Sequence, residues 1–440
     1  MTTTADEFLA ERRFGRFQRH LLIWCSLIIV FDGYDLIIYG VVLPLVMEQW
    51  QLTSIQAGLL GSSALLGMMV GAITFGTLAD RLGRRVIILS CLALFSVVTV
   101  INGLATTPTQ FAVCRFIAGL GLGGVMPNVV ALVTEYSPRR LRTTLVAIMF
   151  SGYSIGGMLS AGLGILIVPR LGWEVMFFLA GVPLLCLPFM WRHLPESLDY
   201  LVRKGRHEEA ERIAQQLTRQ EGLDSIPRLA ASEEADAKAP VAALMQPQRR
   251  VSTLMFWLAS FMCLLMIYAL GSWLPTLMTM AGYPIGKSLG FLLVMNLGAI
   301  AGAIGGGLAS DRLSPRLVLI VFFVAGSCAL ALLGLKSSTL VLYALVAVAG
   351  AATIGAQILI NAYVAQYYPP AIRSTAVGSA LAVGRVGALA GPLVTGMLLS
   401  LSLPHAVNFA AFAVPGLIAL VAVSLIGRPS TATTASPHTG

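Results

Sequence analysis

The sequence predicts an all-α integral membrane protein whose twelve transmembrane helices form two six-helix bundles of the same orientation. Three observations carry this. The 440 residues are 57% hydrophobic and only 11% charged, more apolar side chain than a soluble core can hide, so most of the surroundings must be lipid. Mostly apolar runs of about 20 residues, the length that crosses a bilayer, recur between short polar or Gly/Pro-bearing breaks. A shift of 231 residues then brings the two halves of the chain into register, the mark of an internal duplication.

The first run, near 21–43, is too long for a removable signal peptide, lacks a small-residue cleavage site and contains Asp32 and Asp35, so it is expected to stay in the mature protein. Runs near 57–78, 86–105, 111–134, 145–168 and 173–191 complete the first bundle. Runs near 251–280, 287–309, 317–335, 338–363, 374–400 and 406–427 supply the second. Between them the longest polar stretch, 195–250, reads as a linker, with a surface helix expected over Arg206–Arg212. The plan is a cytoplasmic N-terminus at 1–20, a bundle at 21–194, the linker, a bundle at 251–428 and a cytoplasmic tail at 429–440.

A formal charge of +9 suggests nucleic acid until the positions of the 29 Lys and Arg residues are considered. With the N-terminus inside, 24 of them fall on the cytoplasmic side, three (Arg170, Lys287 and Lys336) fall outside, and Arg115 and Arg385 lie within helices. That bias is the positive-inside pattern, which sets topology and calls for no nucleic acid. The chain is thus expected in a bacterial cytoplasmic (inner) membrane with both termini cytoplasmic. All six cysteines (Cys25, Cys91, Cys114, Cys186, Cys263 and Cys328) fall in apolar runs with no CxxC pair or histidine cluster near them. They read as small core residues, and neither a metal nor a cofactor is expected.

At the 231-residue offset Leu43-Pro44 meets Leu274-Pro275, Gly67 and Gly71 meet Gly298 and Gly302, and Asp80-Arg81-Leu82 meets Asp311-Arg312-Leu313. Arg85 meets Arg316, Gly119 meets Gly350, Gly124 meets Gly355, and Arg142 meets Arg373. Six helices is an even number, so both copies cross the membrane in the same sense, which makes this a parallel repeat. Transporters of that build hold their cargo between the halves near the midplane and rock one half against the other.

Gly76-Thr77-Leu78-Ala79-Asp80-Arg81-Leu82-Gly83-Arg84-Arg85 resembles the loop between the second and third helices of the major facilitator superfamily, and Arg115 through Gly123 resembles its fourth-helix motif. The second copy of the loop is degraded, with Ser314-Pro315 where Gly83-Arg84 stood. Phe31-Asp32-Gly33-Tyr34-Asp35-Leu36-Ile37-Ile38-Tyr39-Gly40 is similar to the first-helix signature of the aromatic acid:proton symporter family. With Gly123–Asn128 and Met149–Ser154, the resemblance is closest to the benzoate permeases. It implies the major facilitator fold and import of benzoate or a related aromatic carboxylate by proton symport.

Asp32 and Asp35 share a helical face in the middle of an apolar helix, where each aspartate costs about 2.5–3.5 kcal/mol on insertion scales. Proton coupling gives them a reason to be there; a structural pair bonded to backbone or to an arginine is the alternative. Arg385 and Arg115 are permanent cations inside hydrocarbon and each needs an anion or a wet cavity. A bidentate fork on a carboxylate substrate is one use and a fixed internal bridge the other. For Arg115, whose motif the superfamily shares, gating or proton relay is expected. Tyr39, Asn128, Trp273 and Asn361 are the candidates to grip an aromatic ring, together with Tyr34, Tyr153, Tyr268, Asn296, Gln357 and Tyr363. Glu135, beside Arg139, Arg140 and Arg142, is expected in a cytoplasmic salt-bridge network with Asp80 and Arg81 that gates the inner mouth. Gly76, Gly83, Arg84, Asp311 and Arg373 complete that motif set.

An enzyme is not expected, since there is no P-loop, nucleophile elbow or metal constellation. The expected partners are a small aromatic carboxylate, a proton and membrane lipid, with the protein acting as a monomer. An exporter working by proton antiport is the nearest rival, disfavoured because the fifth helix lacks the Gly-Pro pair of the drug antiporter motif. An aromatic-acid sensor with incidental transport is the other, disfavoured by a short linker without recognisable signalling motifs.

Overall fold

The computed structural model describes residues 2–4, 8–9, 14–221, 228–230, 241–335 and 337–427. Twelve helices among them are long and apolar enough to cross a membrane. In chain order they are Arg16–Gln49, Ser54–Leu82, Arg84–Asn102, Pro108–Tyr136, Thr144–Leu171, Glu174–His193, Arg250–Met280, Ile285–Ser310, Pro315–Leu332, Thr339–Tyr367, Ile372–Ser400 and His405–Leu425, called here spans 1 to 12. The sixth is interrupted at Ala180 and Gly181, and the tenth carries one π turn at Ala351–Gly355. The expected surface helix runs His207–Glu221, and a parallel pair of three-residue strands joins Thr2–Thr4 to Arg228–Ala230. The tail at 429–440 lies outside the described residues.

The duplication holds at the level of contacts. A side chain on Gly67 would strike the Phe116 carbonyl and one on Gly71 the Leu120 carbonyl; one on Gly298 would strike the Ala347 carbonyl and one on Gly302 the backbone of Ala351. Adding 231 to 67, 71, 116 and 120 gives 298, 302, 347 and 351. Likewise Gly119 abuts Ala64 and Gly350 abuts Met295. Spans 2 and 4 therefore cross as closely as spans 8 and 10, and these glycines allow it because a hydrogen is all that fits between the backbones.

An even number of spans puts the start of span 1, the linker and the end of span 12 on one face of the membrane, the terminal end. At the opposite end the halves meet tightly. Gly40 abuts the Gly271 carbonyl, Gly396 abuts Ser54, and a side chain on Gly58 would stand 2.7 Å from the Pro392 oxygen. Ser62 donates to the Leu389 carbonyl across the same seam at 2.8 Å. One apolar cluster draws its buried residues from both halves at the far end, Tyr39 and Val42 with Trp273 and Leu274 among them, whereas toward the terminal end each half buries a separate cluster of its own. The cleft between the halves is closed at the far end and open at the terminal end.

Candidate functional site

Span 1 passes the centre of the molecule at Asp32-Gly33-Tyr34-Asp35. Gly33 lies against the Tyr153 backbone and Gly156 against Val30, so span 5 closes on span 1 beside both aspartates. Both carboxylates are fully buried, yet their surroundings differ. Asp35 Oδ1 accepts from Arg115 Nη1 at 2.6 Å, its backbone oxygen accepts from Arg115 Nη2 at 3.2 Å, and its Oδ2 accepts from Thr99 Oγ1 at 2.5 Å. Neither oxygen of Asp32 has a partner among the described residues.

What faces Asp32 comes from both halves. Tyr153 of span 5 and Tyr268 of span 7 interact through their hydroxyls and feel the Asp32 charge, and Arg385 of span 11 acts electrostatically on both Asp32 and Tyr268. Arg385 is half-buried and forms no ion pair among the described residues. An acid from one bundle and a bidentate cation from the other thus flank the seam with two phenols between them, a setting for a carboxylate and its counter-charge.

The other ring-gripping candidates are differently employed. Tyr39 donates to the Ala57 carbonyl at 2.5 Å and packs near Phe111, and Trp273, fully buried, donates to the Pro392 carbonyl at 3.0 Å. Both belong to the closed end of the seam. Asn128 turns back onto its own helix at the Gly124 carbonyl, 2.8 Å away. Asn361 accepts from Gln357, which also reaches Ser260, next to the π turn of span 10. A cavity of about 180 Å³ between spans 1, 3, 5 and 6, lined by Val30, Phe31, Phe95, Leu163 and Leu179, offers no counter-charge for an anion.

At the terminal end the structure corrects the expected partners of Glu135. Its Oε2 pairs with Arg84 at 2.6 Å, and its Oε1 accepts from Ser197 Oγ, Leu198 N and Asp199 N, capping the short helix Leu198–Arg203. Arg139 and Arg140 are exposed instead, because span 4 ends at Tyr136 and the chain turns away through Ser137 and Pro138. Asp80 is exposed and has no ion pair among the described residues, and the Arg81 carbonyl accepts from Tyr200 at 3.3 Å. Gly83 sits at φ 98° against the Glu196 carboxylate, which accepts from the Arg85 backbone N–H at the start of span 3. In the second copy Ser314 does a different job, accepting from Leu317 N as a helix cap ahead of Pro315. Arg142 reaches the Ser137 carbonyl and Arg373 the Tyr368 carbonyl, one contact in two copies, each 3.4 Å long. The Asp311 side chain lies outside the described residues.

Sequence reasoning missed Thr99 and Glu196. A lone threonine in an apolar helix gives no signal, whereas Pro195-Glu196-Ser197 just past a span marks a cap.

A family model described as the Major Facilitator Superfamily matches residues 25–310 and 295–440. The chain is 47% identical to the benzoate transport protein of Acinetobacter baylyi over 96% of this chain and 92% of that one. It is 37% identical to the gentisate transporter of Corynebacterium glutamicum, covering 91% and 85%, and 33% identical to the 4-hydroxybenzoate transporter PcaK of Pseudomonas putida, covering 97% and 96%. Among solved structures, the partially occluded inward-open xylose transporter XylE from Escherichia coli superimposes with a TM-score of 0.72 at 17% identity, covering 92% of this chain and 98% of that one.

Proposed function

The chain belongs to the major facilitator superfamily, a family of transporters and not of enzymes, and from that premise we propose that it imports benzoate or a closely related aromatic carboxylate together with a proton. The single observation that carries the proposal is Asp32: fully buried, unpartnered at both oxygens, and facing Arg385 across the seam. An internal acid held in a finished ion pair must break that pair before it can take a proton. One whose oxygens are free can take and return a proton, and Arg385 presents a fork that fits a carboxylate.

Accumulating an anion against an inside-negative potential costs about 2.3 kcal/mol per charge per 100 mV, so at least one proton must travel with each benzoate. In the proposed cycle Asp32 is loaded with a proton while the cleft faces outward, and the substrate carboxylate docks at Arg385. The bundles 21–194 and 251–428 then rock, and both cargoes leave inward. Asp35, tied to Arg115 and Thr99, is the second member of the coupling pair. The positive-inside bias supports a cytoplasmic terminal end, which makes the present conformation inward-open, in a bacterial inner membrane, with the protein acting as a monomer.

The test is uptake of labelled benzoate into proteoliposomes under a pH gradient, alongside benzoate counterflow without one. Asp32→Asn is expected to abolish concentrative uptake while leaving counterflow; concentrative uptake at the wild-type rate would remove Asp32 from the coupling role. Gentisate and 4-hydroxybenzoate, offered as competitors, would show how narrowly the cleft reads the ring.

A further inference from the structure

The third span carries polar side chains that the transport cycle above does not use. Ser96, Thr99 and Asn102 recur at intervals of three and are all fully buried. Thr99 is bonded to Asp35, but Ser96 Oγ and both side-chain atoms of Asn102 have no partner among the described residues. Arg115 Nε, on the facing span, is unpartnered as well. A buried amide with donor and acceptor both unpaired costs several kcal/mol in an apolar interior, and proteins meet that cost with internal water.

Their placement is ordered. Spans 3 and 4 form a hairpin around 103–107, so Asn102 lies at the end opposite the termini and Ser96 lies about level with Arg115. Successive members differ in depth by about 4.5 Å, at 1.5 Å rise per residue. One water making two ordinary hydrogen bonds of about 2.8 Å spans such a gap. The stripe leads from the far end of the molecule to Asp35, and Asp32 lies one turn beyond it.

The second half supplies an internal control. At the 231-residue offset Asp35, Thr99, Asn102 and Arg115 correspond to Met266, Leu330, Leu333 and Val346, all buried in one apolar cluster, whereas Ser96 meets Ser327, which is buried and unpartnered as well among the described residues, so the control bears on the other four alone. The same architecture is therefore built without these polar groups, and an apolar replacement of a buried ion pair is often as stable as the pair itself. Fold stability does not explain why the first half keeps them.

We propose that Asn102, Thr99 and Ser96 position water in a proton track inside the first bundle, running from the end opposite the termini to the carboxylates of span 1 and separate from the cleft that the aromatic acid uses. The proposal rests on the proton-coupled reading above. A proton from bulk water moves along the ordered waters to the Asp35 carboxylate, leaving neutral water behind, and no other reactant is needed. In the present conformation Arg115 and Thr99 occupy both Asp35 oxygens, so the track ends there while the cleft is open at the other end. That interruption keeps the two openings from joining into a leak.

The experiment uses proteoliposomes holding a fluorescent pH indicator, with benzoate added outside. Asn102→Leu, which keeps the branching of the side chain and has no polar atoms, is expected to slow both benzoate-driven lumen acidification and gradient-driven uptake by about tenfold or more, while counterflow at equal pH is unchanged. Asn102→Ser, which still holds water, is expected to restore the gradient-driven rate, and Thr99→Val to repeat the split if Asn102→Leu fails to reach the membrane. Gradient-driven uptake at the wild-type rate in both Asn102→Leu and Thr99→Val would overturn the proposal. A parallel fall in uptake and counterflow, not rescued by serine, would overturn it too, because it would mark a structural role. Failure of the coupling reading looks different: the unmutated protein would then exchange benzoate without acidifying the lumen any faster than protein-free liposomes, in which uncharged benzoic acid crosses unaided.

Discussion

Gly58→Ala is expected to shift the protein away from the conformation described here. The new methyl would lie 2.7 Å from the Pro392 oxygen and 3.1 Å from Leu393 Cα, where ordinary contact begins at 3.4 Å, so span 11 must withdraw by 3.4 − 2.7 = 0.7 Å. Overpacking of that size costs about 1–3 kcal/mol. Because the clash exists only while the far end of the seam is closed, the cost falls on this state alone, a shift of roughly 5- to 150-fold toward the conformer open at the far end. The reporter is Ser62→Cys in a chain whose six native cysteines are replaced by alanine, since Ser62 is buried in the seam and bonds Leu389 across it. Labelling by a membrane-impermeant thiol reagent from the far side should accelerate when Gly58→Ala is added. Gly121→Ala is the matched control: its methyl would also stand 2.7 Å from a carbonyl oxygen, that of Cys91, but inside the first bundle. It should lower thermal stability without changing the labelling rate. An unchanged rate in Gly58→Ala, or an equal rise in Gly121→Ala, would refute the reasoning.

Three further changes follow from the same structure. Asp35→Asn leaves Arg115 buried without its counter-charge and should cost about 3–5 kcal/mol, whereas Asp35→Met with Arg115→Val, the pair found in the second half, should recover most of it; melting temperatures in detergent check this. Gly83→Ala forces a φ of 98° on a residue with a side chain and drives it toward Glu196, a loss of roughly 1–3 kcal/mol that should appear as faster trypsin cleavage after Arg203 and Lys204. Glu135→Leu removes the Arg84 bridge and three hydrogen bonds that cap the start of the linker, and the same cleavage should accelerate there, with the substrate affinity of the cleft unaltered.

Each transmembrane span was legible because lipid imposes a long, unbroken apolar run that nothing else in a sequence imitates. Span ends were less so: span 1 begins at Arg16 and span 10 continues to Tyr367, since a helix keeps its backbone bonds into the polar interface where hydropathy has stopped signalling. The gap at Ala180-Gly181 has a local signal in Gly181 and Pro183, the cap and first-turn proline of the segment that follows, which a hydropathy count passes over, whereas the π turn at Ala351–Gly355 left no such trace. At the site, the cost of two aspartates in hydrocarbon made both visible, but as one pair. What separates them is the approach of Thr99 and Arg115 from spans 3 and 4, a tertiary fact. Glu135 was misjudged for a related reason: Arg139 and Arg140 are near in sequence, while Arg84, far in sequence, is near in space.

The two halves share one scaffold and divide the chemistry. At the common offset Asp32 meets Cys263, whose thiol donates to the Thr353 carbonyl at the π turn, and Arg385 meets Ser154. Acid and cation therefore sit on opposite sides of the seam, and in the proposed rocking cycle their separation would change while the scaffold contacts inside each bundle would not. Under that arrangement Arg385 should matter by shape as much as by charge. Arg385→Lys keeps the positive potential at Asp32 but replaces a planar fork with a point charge, so benzoate should bind about ten- to a hundredfold more weakly, the loss of one charge-assisted hydrogen bond worth about 1.5–3 kcal/mol, with the proton-to-substrate ratio preserved. Arg385→Leu should abolish uptake outright. Benzoate affinity unchanged in Arg385→Lys would mean that the arginine serves Asp32 alone and that the carboxylate docks elsewhere in the cleft.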